Sequence, residues 1–445
     1  MTPFGDHRPE TRTLLGAQLV FNIGFYAVVP FLAGAMSAEY GLGAAAIGLV
    51  LGARTFSQQG MFLLGGLVAD RWGARRAILT GCLVRVLGYA TLAAASGFPL
   101  FLLGAVLTGA GGALFSPALE AQLSHADRPA GTGAPRPAGK SRRSVFVWLA
   151  ITGEIGAVLG PLLGSALLGW GLDAALTAGI AVFSAVTVLL WYRLPRAAAR
   201  APTGADAQGP RTAPATGGPA LGCLRDRRFV VFCLLAGTNM LVYNQLYFAV
   251  PVELGRRGLD GAWLGALFLL ASVLTLSLQL PVSAAGQRLG PGRAVAAGFV
   301  LEAAAFAILA GTAVHPGPSA GSTAPLLGAV AVLILGHMLL TPTILSLIPA
   351  FVPAPEPGAG TGAGRGAYYG LAATCGGVAV LVGNAVLGQV LDLTDRHHWW
   401  PGTPWVPLVL HALLAAVALP VVLRGHSTLG RPGSSSPTVP AERTP

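Results

Sequence analysis

The feature that most constrains this chain is a series of twelve apolar stretches that follow one another along nearly all of its 445 residues. Each stretch has about 20 residues, which as a helix rising about 1.5 Å per residue spans the roughly 30 Å hydrocarbon core of a bilayer. Charged residues make up only 10% of the sequence, against about 25% in soluble domains, so most of the surface must face lipid. The sequence therefore predicts an all-α integral membrane protein with twelve transmembrane helices.

The predicted spans fall into two sets of six. The first set lies near Leu14–Met36, Ala45–Ala69, Ala77–Ser96, Pro99–Leu123, Val145–Gly169 and Ala174–Trp191, and the second near Phe229–Val252, Ala262–Ala284, Ala294–Val314, Pro325–Ala350, Ala367–Leu391 and Thr403–Leu423. The first span is too long for the apolar core of a signal peptide, so we expect it to stay uncleaved. A segment rich in Pro, Gly, Ala and Arg separates the two sets and predicts a disordered linker. The predicted organisation is an N-terminal segment at 1–13, bundles at 14–192 and 229–424, a linker at 193–228 and a tail at 425–445.

The 28 lysines and arginines are distributed unevenly among the loops. The N-terminus, the linker, the tail and the loops after the even-numbered spans carry nearly all of them, whereas the opposite loops carry only Arg256, Arg257 and Arg396. The positive-inside rule then predicts a multi-pass protein of the cell membrane with both termini in the cytoplasm. Because aromatic residues are not interleaved with these arginines, no nucleic-acid partner is expected. The four cysteines lack metal-ligand spacing, so neither a metal nor a cofactor is expected.

The two halves are related by an internal repeat. A shift of 217 residues places Gln287–Ala294 over Asp70–Ala77, and it places Glu302 over Arg85. The two repeats run in the same direction, and both place their basic loop on the same side of the membrane. Two bundles related in this way are expected to face one another across a central cavity.

The loop between the second and third predicted spans reads GLVADRWGARR at residues 66–76. Its spacing, Gly-x3-Asp-Arg-x-Gly-x-Arg-Arg, together with the degraded copy in the second half, resembles the signature loop of the major facilitator superfamily. The matching residues are Gly66, Asp70, Arg71, Gly73, Arg75 and Arg76. The resemblance covers residues 13–423 and implies the major facilitator fold, in which this loop locks two pseudo-symmetric six-helix bundles together on the cytoplasmic face. Within this loop we expect Gly66 to allow close helix approach. The alternative interpretation of the whole segment is an ordinary basic loop on the cytoplasmic side.

The fifth predicted span carries a stripe of glycines on one helical face. The stripe consists of Gly153, Gly156, Gly160 and Gly164, with Pro161 beside it. Small residues on one face let a neighbouring helix pack closely in lipid, whatever the function. The pattern Gly-x3-Gly-Pro-x2-Gly resembles the fifth-helix motif of the drug:proton antiporters of the superfamily, and that resemblance implies export.

Ionisable residues inside the predicted spans are candidates for proton coupling, because a charge within the membrane is costly and marks a functional site by default. Glu154 lies about 200° around its helix from Gly156, so it is expected to point away from the stripe and into the cavity. The remaining candidates are Glu302, Glu120, Arg54 and Arg85. Each acid could instead belong to a structural ion pair with one of the arginines, and Glu120 could simply lie at the membrane interface. The superfamily's usual fourth-span arginine is replaced here by Ala105, which leaves Arg54 or Arg85 as its substitute.

Polar and aromatic side chains within the spans are candidates for lining the cavity. They are Asn22, Tyr26, Gln58, Asn239, Tyr243, Asn244 and Tyr247. Asn22 and Tyr26 share one helical face, as do Asn239 and Tyr243, while Gln58 lies one turn from Arg54. Walls of amide and aromatic groups suit amphiphilic organic molecules better than sugars. His337 could titrate, although a lone histidine in a helix is more often only hydrogen-bonded.

These observations predict a monomeric secondary transporter that exports drugs or metabolites by alternating access in exchange for protons. An uptake symporter of the same fold is the nearest alternative. A membrane enzyme acting on lipid or acyl substrates is the alternative from another class, but it would need clustered His and Asp residues at the interface that the sequence does not offer. An ATP-driven pump is not expected, because Gly139-Lys140-Ser141 lacks the preceding glycine of a phosphate-binding loop.

Overall fold

The computed structural model describes residues 9–126, 145–194, 222–259, 261–314, 323–352 and 365–424. Within these ranges the chain forms α-helices joined by short turns, with short 3₁₀ helices at Ile348–Phe351 and Thr403–Trp405, and it contains no strand. The first half comprises α1 (Pro9–Ala38), α2 (Ala44–Gln59), α3 (Phe62–Trp72), α4 (Ala74–Ala93), α5 (Phe98–Ala126), α6 (Val145–Leu168) and α7 (Leu172–Arg193). The second half comprises α8 (Gly222–Arg225), α9 (Arg227–Asn244), α10 (Ala249–Arg256), α11 (Gly261–Leu289), α12 (Pro291–Thr312), α13 (Ala324–Leu347), α14 (Arg365–His397) and α15 (Val406–Arg424). Most of the predicted linker and the whole predicted tail lie outside the described residues.

Eleven of the helical segments in the described ranges are long and apolar enough to cross a membrane. The remaining predicted span, near Ala45–Ala69, is divided into α2 and α3 by a turn at Gly60 and Met61. α2 packs against both α14 of the other half and α5 of its own half, whereas α3 packs mainly against α5. The apolar run is continuous, so the sequence predicted one helix.

The predicted seventh span is also interrupted, since a turn at residues 245–248 separates α9 from α10. α9 begins where the Asp226 carboxylate accepts hydrogen bonds from the backbone N–H groups of Arg228 and Phe229, at 3.0 and 3.1 Å. Such an N-cap satisfies backbone donors that the helix itself leaves unpaired. At the interruption, the Gln245 Nε2 donates to the Leu241 carbonyl at 2.8 Å and so satisfies one backbone acceptor at the end of α9.

The two halves are pseudo-symmetric six-helix bundles, as the repeat predicted. In the first, the carbonyl oxygen of Gly81 lies 2.7 Å from the position that a Cβ on Gly111 would occupy. In the second, the carbonyl oxygen of Gly298 lies 2.8 Å from the corresponding position on Gly336. The same glycine contact thus joins α4 to α5 and α12 to α13, and Gly81 and Gly298 are 217 residues apart, the shift that aligns the two halves in sequence.

The halves meet mainly where α2 contacts α14 and where α6 contacts α11. A Cβ on Gly52 would lie 3.0 Å from the Leu381 Cα, and one on Gly48 would collide with the Asn384 carbonyl. Small residues four positions apart therefore let α2 approach α14 closely, as in other membrane helix pairs. We call the end of the bundles that carries Arg71, Arg76 and Arg288 the basic end, and the other the opposite end.

Candidate functional site

A cavity of about 1070 Å³ lies between the two halves. It is lined by α1, α2, α3 and α5 of the first half and by α9, α13 and α14 of the second. Tyr247 and Asn244 line it towards the opposite end, and the lining extends through Gly66, Glu120 and Ile348 towards the basic end. Its volume is slightly above the upper limit of typical small-molecule sites, so it has room for a drug-sized molecule.

The cavity brings together six of the seven side chains expected to line it. They are Tyr26, Gln58, Asn239, Tyr243, Asn244 and Tyr247. Asn22 lies elsewhere: its Cβ packs against Gly156 of α6, and its Oδ1 accepts a hydrogen bond from the Gln18 amide at 3.3 Å. Asn22 shares a helical face with Tyr26, but it lies one turn nearer the basic end. At that level α6 covers the face.

The glycine stripe of α6 packs on α1, as the sequence predicted for a small-residue face. A Cβ on Gly156 would lie 3.1 Å from the Asn22 carbonyl carbon, and one on Gly160 would lie 2.9 Å from the Ile23 carbonyl oxygen. Gly164 meets the Ala27 backbone in the same way, whereas the position on Gly153 is 3.8 Å from the Asn22 side chain. The close packing of Gly160 against Tyr26 fixes the part of α1 that carries this cavity-lining tyrosine.

The second half contributes a hydrogen-bonded cluster to the cavity wall. The Tyr243 and His337 rings are stacked with centroids 4.1 Å apart. The His337 Nδ1 lies 3.0 Å from the Asn239 Oδ1, and the Asn239 Nδ2 donates to the Thr341 hydroxyl at 3.1 Å. His337 is thus hydrogen-bonded, as expected for a histidine in a helix, and it also lines the cavity. Thr341 went unnoticed in the sequence, although its spacing of four from His337 places both on one face of α13.

Glu154 lies in a side chamber of about 340 Å³ between α6, α11 and α13. Five residues line both this chamber and the main cavity: Tyr26, Tyr243, His337, Thr341 and Leu345. Glu154 therefore points away from the glycine stripe, but it does not line the main cavity as expected. It lies in the side chamber, and the shared side chains stand between the two spaces. The polar residues Thr275 and Gln279 of α11 line the same chamber.

The other ionisable candidates occupy three different environments. Arg54 and Glu120 line the main cavity, with Glu120 towards the basic end. Arg85 is buried between α4 and its neighbours, with its guanidinium 5.3 Å from the Phe21 ring centroid. Glu302 is fully buried where α12 packs on α13, and neither of its carboxyl oxygens has a hydrogen-bond partner among the described residues. Among the described residues, no ion pair joins any of these acids to Arg54 or Arg85.

The signature loop is built around the turn at Gly73, whose φ of +85° suits a residue without a Cβ. Arg75 donates to the carbonyl oxygens of Leu194 at 3.1 Å and Trp191 at 2.9 Å, so it caps the C-terminal end of α7 within the same half. Arg71 and Arg76 are exposed at the basic end, and Asp70 belongs to the last turns of α3.

The expectation that Gly66 allows close helix approach was wrong. Among the described residues, no atom would lie within 4 Å of a Cβ on Gly66, and this glycine borders the cavity instead. Its neighbour Gly65 makes the close approach, because a Cβ there would collide with the Ala113 carbonyl of α5. One residue turns a helix by about 100°, so the adjacent glycine faces a different neighbour.

The opposite end is closed by polar contacts between the halves. The Asp392 carboxylate of α14 accepts hydrogen bonds from the backbone N–H groups of Ala44 and Ala45 at 2.8 and 3.1 Å, and so caps α2. Deeper in the contact, the Asn384 Nδ2 donates to the Asn244 Oδ1 at 2.9 Å. The Asn244 Nδ2 in turn donates to the Thr55 hydroxyl at 3.3 Å. These contacts separate the cavity from the opposite end.

Comparisons with known proteins agree with this architecture. Residues 14–365 match the Major Facilitator Superfamily. The chain is 31% identical over 425 residues to an uncharacterized MFS-type transporter of Mycobacterium tuberculosis, and the alignment covers 93% of each protein. It is also 31% identical over 271 residues to the multidrug resistance protein MdtH of Yersinia pestis, which covers 61% of this chain and 62% of that protein.

Two solved structures share the fold. The nucleoside transporter NupG is similar with a TM-score of 0.71 at 16% identity, over 94% of this chain and all of that chain (100%). The POT family transporter PepTSo is similar with a TM-score of 0.70 at 17% identity, over 94% of this chain and 98% of that one. At such low identity the likeness concerns the fold alone.

Proposed function

The chain belongs to the major facilitator superfamily, and from this premise we propose that it exports small organic molecules from the cytoplasm in exchange for protons. It is a transporter and not an enzyme. In the proposed arrangement the chain lies in the cell membrane with its termini and its basic end in the cytoplasm, in keeping with the distribution of arginine. The cavity then loads from the cytoplasmic side.

The observation that carries the proposal is a cavity between the halves that is closed at one end and extends towards the other. Asp392, Asn244 and Asn384 close it at the opposite end, while its lining reaches Glu120 at the basic end. Alternating access needs such a state and its counterpart, between which the halves rock around a site near the bilayer midplane. The aromatic and amide lining favours an amphiphilic organic substrate.

Proton exchange is assigned to Glu154. It is a carboxylic acid within a membrane-spanning helix, and its chamber shares five lining residues with the main cavity. Substrate in the main cavity can therefore act on Glu154 through the side chains that the two spaces share. An acid in this position is a functional site by default, because the membrane penalises its charged form. The likeness to MdtH and the Gly160-Pro161 step in α6 support export as the direction.

The proposal is tested with a host strain that expresses the chain and is challenged with antimicrobials of anionic, neutral and cationic classes. A compound that gains resistance is then added to energised inside-out vesicles that contain a dye sensitive to the pH gradient. Export by exchange predicts that the compound releases protons from these vesicles and not from vesicles without the chain. Absence of both resistance and proton release across the panel would remove the proposal.

Glu154→Gln is expected to abolish resistance and proton release at unchanged membrane levels, because the amide cannot carry a proton across. Glu39→Gln, which removes an exposed acid after α1, serves as the matched control and is expected to behave as the wild type. Retained proton release in Glu154→Gln would exclude Glu154 from the coupling mechanism and turn attention to Glu302. An uptake symporter, the nearest alternative, would instead show no proton release on addition of substrate to the cytoplasmic face.

A further inference from the structure

Arg54 is a buried cation that faces the main cavity. Its side chain is only 6% exposed, and it is among the residues that line the cavity. The Arg54 Nη2 donates to the Gln58 Oε1 at 2.8 Å, and the guanidinium lies 4.4 Å from the Phe25 ring centroid. The Arg54 Nε is buried without a hydrogen-bond partner among the described residues. Part of the hydrogen-bonding capacity of this guanidinium is therefore unused.

Apart from the face of the Phe25 ring, the charge of Arg54 is not compensated, because no described carboxylate pairs with it. None of the ion pairs among the described residues includes it. Its charged neighbour is another cation: the Arg85 Nη2 and the Gln58 Cδ both lie within 3.2 Å of the position of a Cβ on Gly112. Glu120 lies eight residues beyond Gly112 on α5, which corresponds to about 12 Å along the helix. A buried charge without a partner is costly, so a ligand that supplies the opposite charge gains affinity.

We propose that Arg54 and Gln58 form an anion-binding subsite that takes the carboxylate of an amphiphilic aromatic substrate. This inference rests on the proposed function, because it names the substrate class of the same cavity. The guanidinium offers a planar set of donors that matches a carboxylate. The rings of Phe25, Tyr26 and Tyr247 line the cavity beside it and would contact the apolar part of the molecule. Glu154 lies in the side chamber beyond Tyr26, so the acid and the anion subsite occupy separate spaces.

Three dansyl compounds test the subsite, because they share a fluorophore and differ in charge. Dansylglycine carries a carboxylate, dansylglycinamide is neutral and dansylcadaverine is cationic. Their binding to the purified full chain in phosphatidylcholine nanodiscs is followed by dansyl fluorescence. The wild type is expected to bind dansylglycine saturably and at least tenfold more tightly than dansylglycinamide, with dansylcadaverine the weakest, because only the carboxylate pairs with Arg54.

Arg54→Gln is expected to raise the Kd of dansylglycine about tenfold or more, and to change that of dansylglycinamide less than twofold. Arg54→Lys keeps the charge without the planar donor set and should recover part of the affinity. Arg225→Gln, which removes an exposed arginine at the basic end, should leave both affinities unchanged. If Arg54→Gln fails to fold, the affinities of the wild type for the three compounds still show whether the cavity prefers a carboxylate.

Two results overturn the subsite: no saturable binding of dansylglycine, or equal affinities of the wild type for dansylglycine and dansylglycinamide. An equal rise in both Kd values in Arg54→Gln would also contradict it, since that result indicates a general loss of the cavity. Because binding is measured without transport, the two proposals can fail separately. If dansylglycine binds through Arg54 but no compound releases protons from vesicles, the proposal of export is contradicted and the subsite stands. If other compounds release protons but the wild type does not prefer dansylglycine over dansylglycinamide, the subsite is contradicted and the proposal of export stands.

Discussion

Arg85 and Glu302 occupy equivalent positions in the two halves, but their side chains have different surroundings. The Arg85 guanidinium lies 5.3 and 5.5 Å from the ring centroids of Phe21 and Phe183, which stabilise a cation through their faces. Glu302 packs against Gly336, and a Cβ on that glycine would lie 3.0 Å from its Cγ. Neither Glu302 oxygen has a hydrogen-bond partner in the described part of the chain. The carboxyl group therefore lies at a helix contact and not in either of the two cavities described above.

Glu302→Met is expected to stabilise the fold, because it replaces an unsatisfied buried carboxyl group with an apolar side chain of similar length. The gain should be about 1–3 kcal/mol, the usual cost of an unsatisfied buried polar group. It is measured as a rise in the midpoint of thermal unfolding in detergent, with Glu302→Gln as the control that keeps a polar group. A lower midpoint together with lost export would instead support the proton-coupling role that the sequence suggested for Glu302.

At the residue scale, helical periodicity predicted much of the site. Tyr26, Tyr243 and Tyr247 line the cavity because the aromatic and amide positions of α1 and α9 face inwards. Asn22 could not be excluded from the sequence, because only the packing of α6 reveals that the face of α1 is covered at its level. The glycine stripe predicted that Glu154 points away from α1, but not that it lies in a side chamber instead of the main cavity. The separate chamber around it depends on α11 and α13, whose relative positions no local pattern determines.

At the scale of single elements, the apolar stretches predicted where the helices lie. They did not predict the breaks within the second and seventh spans. α2 and α3 are separated at Gly60 and Met61, where α14 crosses closely: a Cβ on Gly377 would lie 3.2 Å from the Gly60 nitrogen. Glycine lowers helix propensity by about 1 kcal/mol relative to alanine, but this sequence carries glycine in most of its helices. Composition alone therefore cannot show which glycine interrupts a helix.

The neighbouring glycines of α3 offer a direct test of its packing. Gly65→Ala is expected to lower the thermal unfolding midpoint and the yield of folded protein, because the new Cβ would meet the Ala113 carbonyl of α5. Gly66→Ala should leave the midpoint unchanged or raise it slightly, since no atom of the described part of the chain lies within 4 Å of the new Cβ and alanine favours the helix by up to about 1 kcal/mol. Both variants add one methyl group to the same helix, so each controls for the other. The reverse order of midpoints would contradict the packing of α3 on α5.

At the scale of the whole molecule, the two halves are joined by contacts that must break if the cavity is to open at the opposite end. Asp392 holds the N-terminus of α2 through two backbone N–H groups, where a carboxylate also interacts favourably with the helix dipole. The nearby Arg256 donates to Asp395 at 2.8 Å, but this pair joins α10 to α14 within the second half. The Asp392 contact, by contrast, crosses between the halves.

A disulfide placed at the Asp392 contact should hold the opposite end closed and stop transport. The Asp392 Cγ, which takes the place that the sulfur of a cysteine would occupy, lies 3.4 Å from the position of a Cβ on Gly43, so cysteines at the two positions are within reach of one another. Gly43 has a φ of −66°, which a cysteine adopts without strain. The double variant Gly43→Cys/Asp392→Cys is expected to transport when reduced, to lose transport on oxidation and to recover it with dithiothreitol, as measured by proton release in inside-out vesicles. The wild type and the two single variants, treated with the same oxidant, control for the four native cysteines. Because alternating access requires this end to open in every cycle, undiminished transport by the fully cross-linked protein would contradict a mechanism in which the halves separate here.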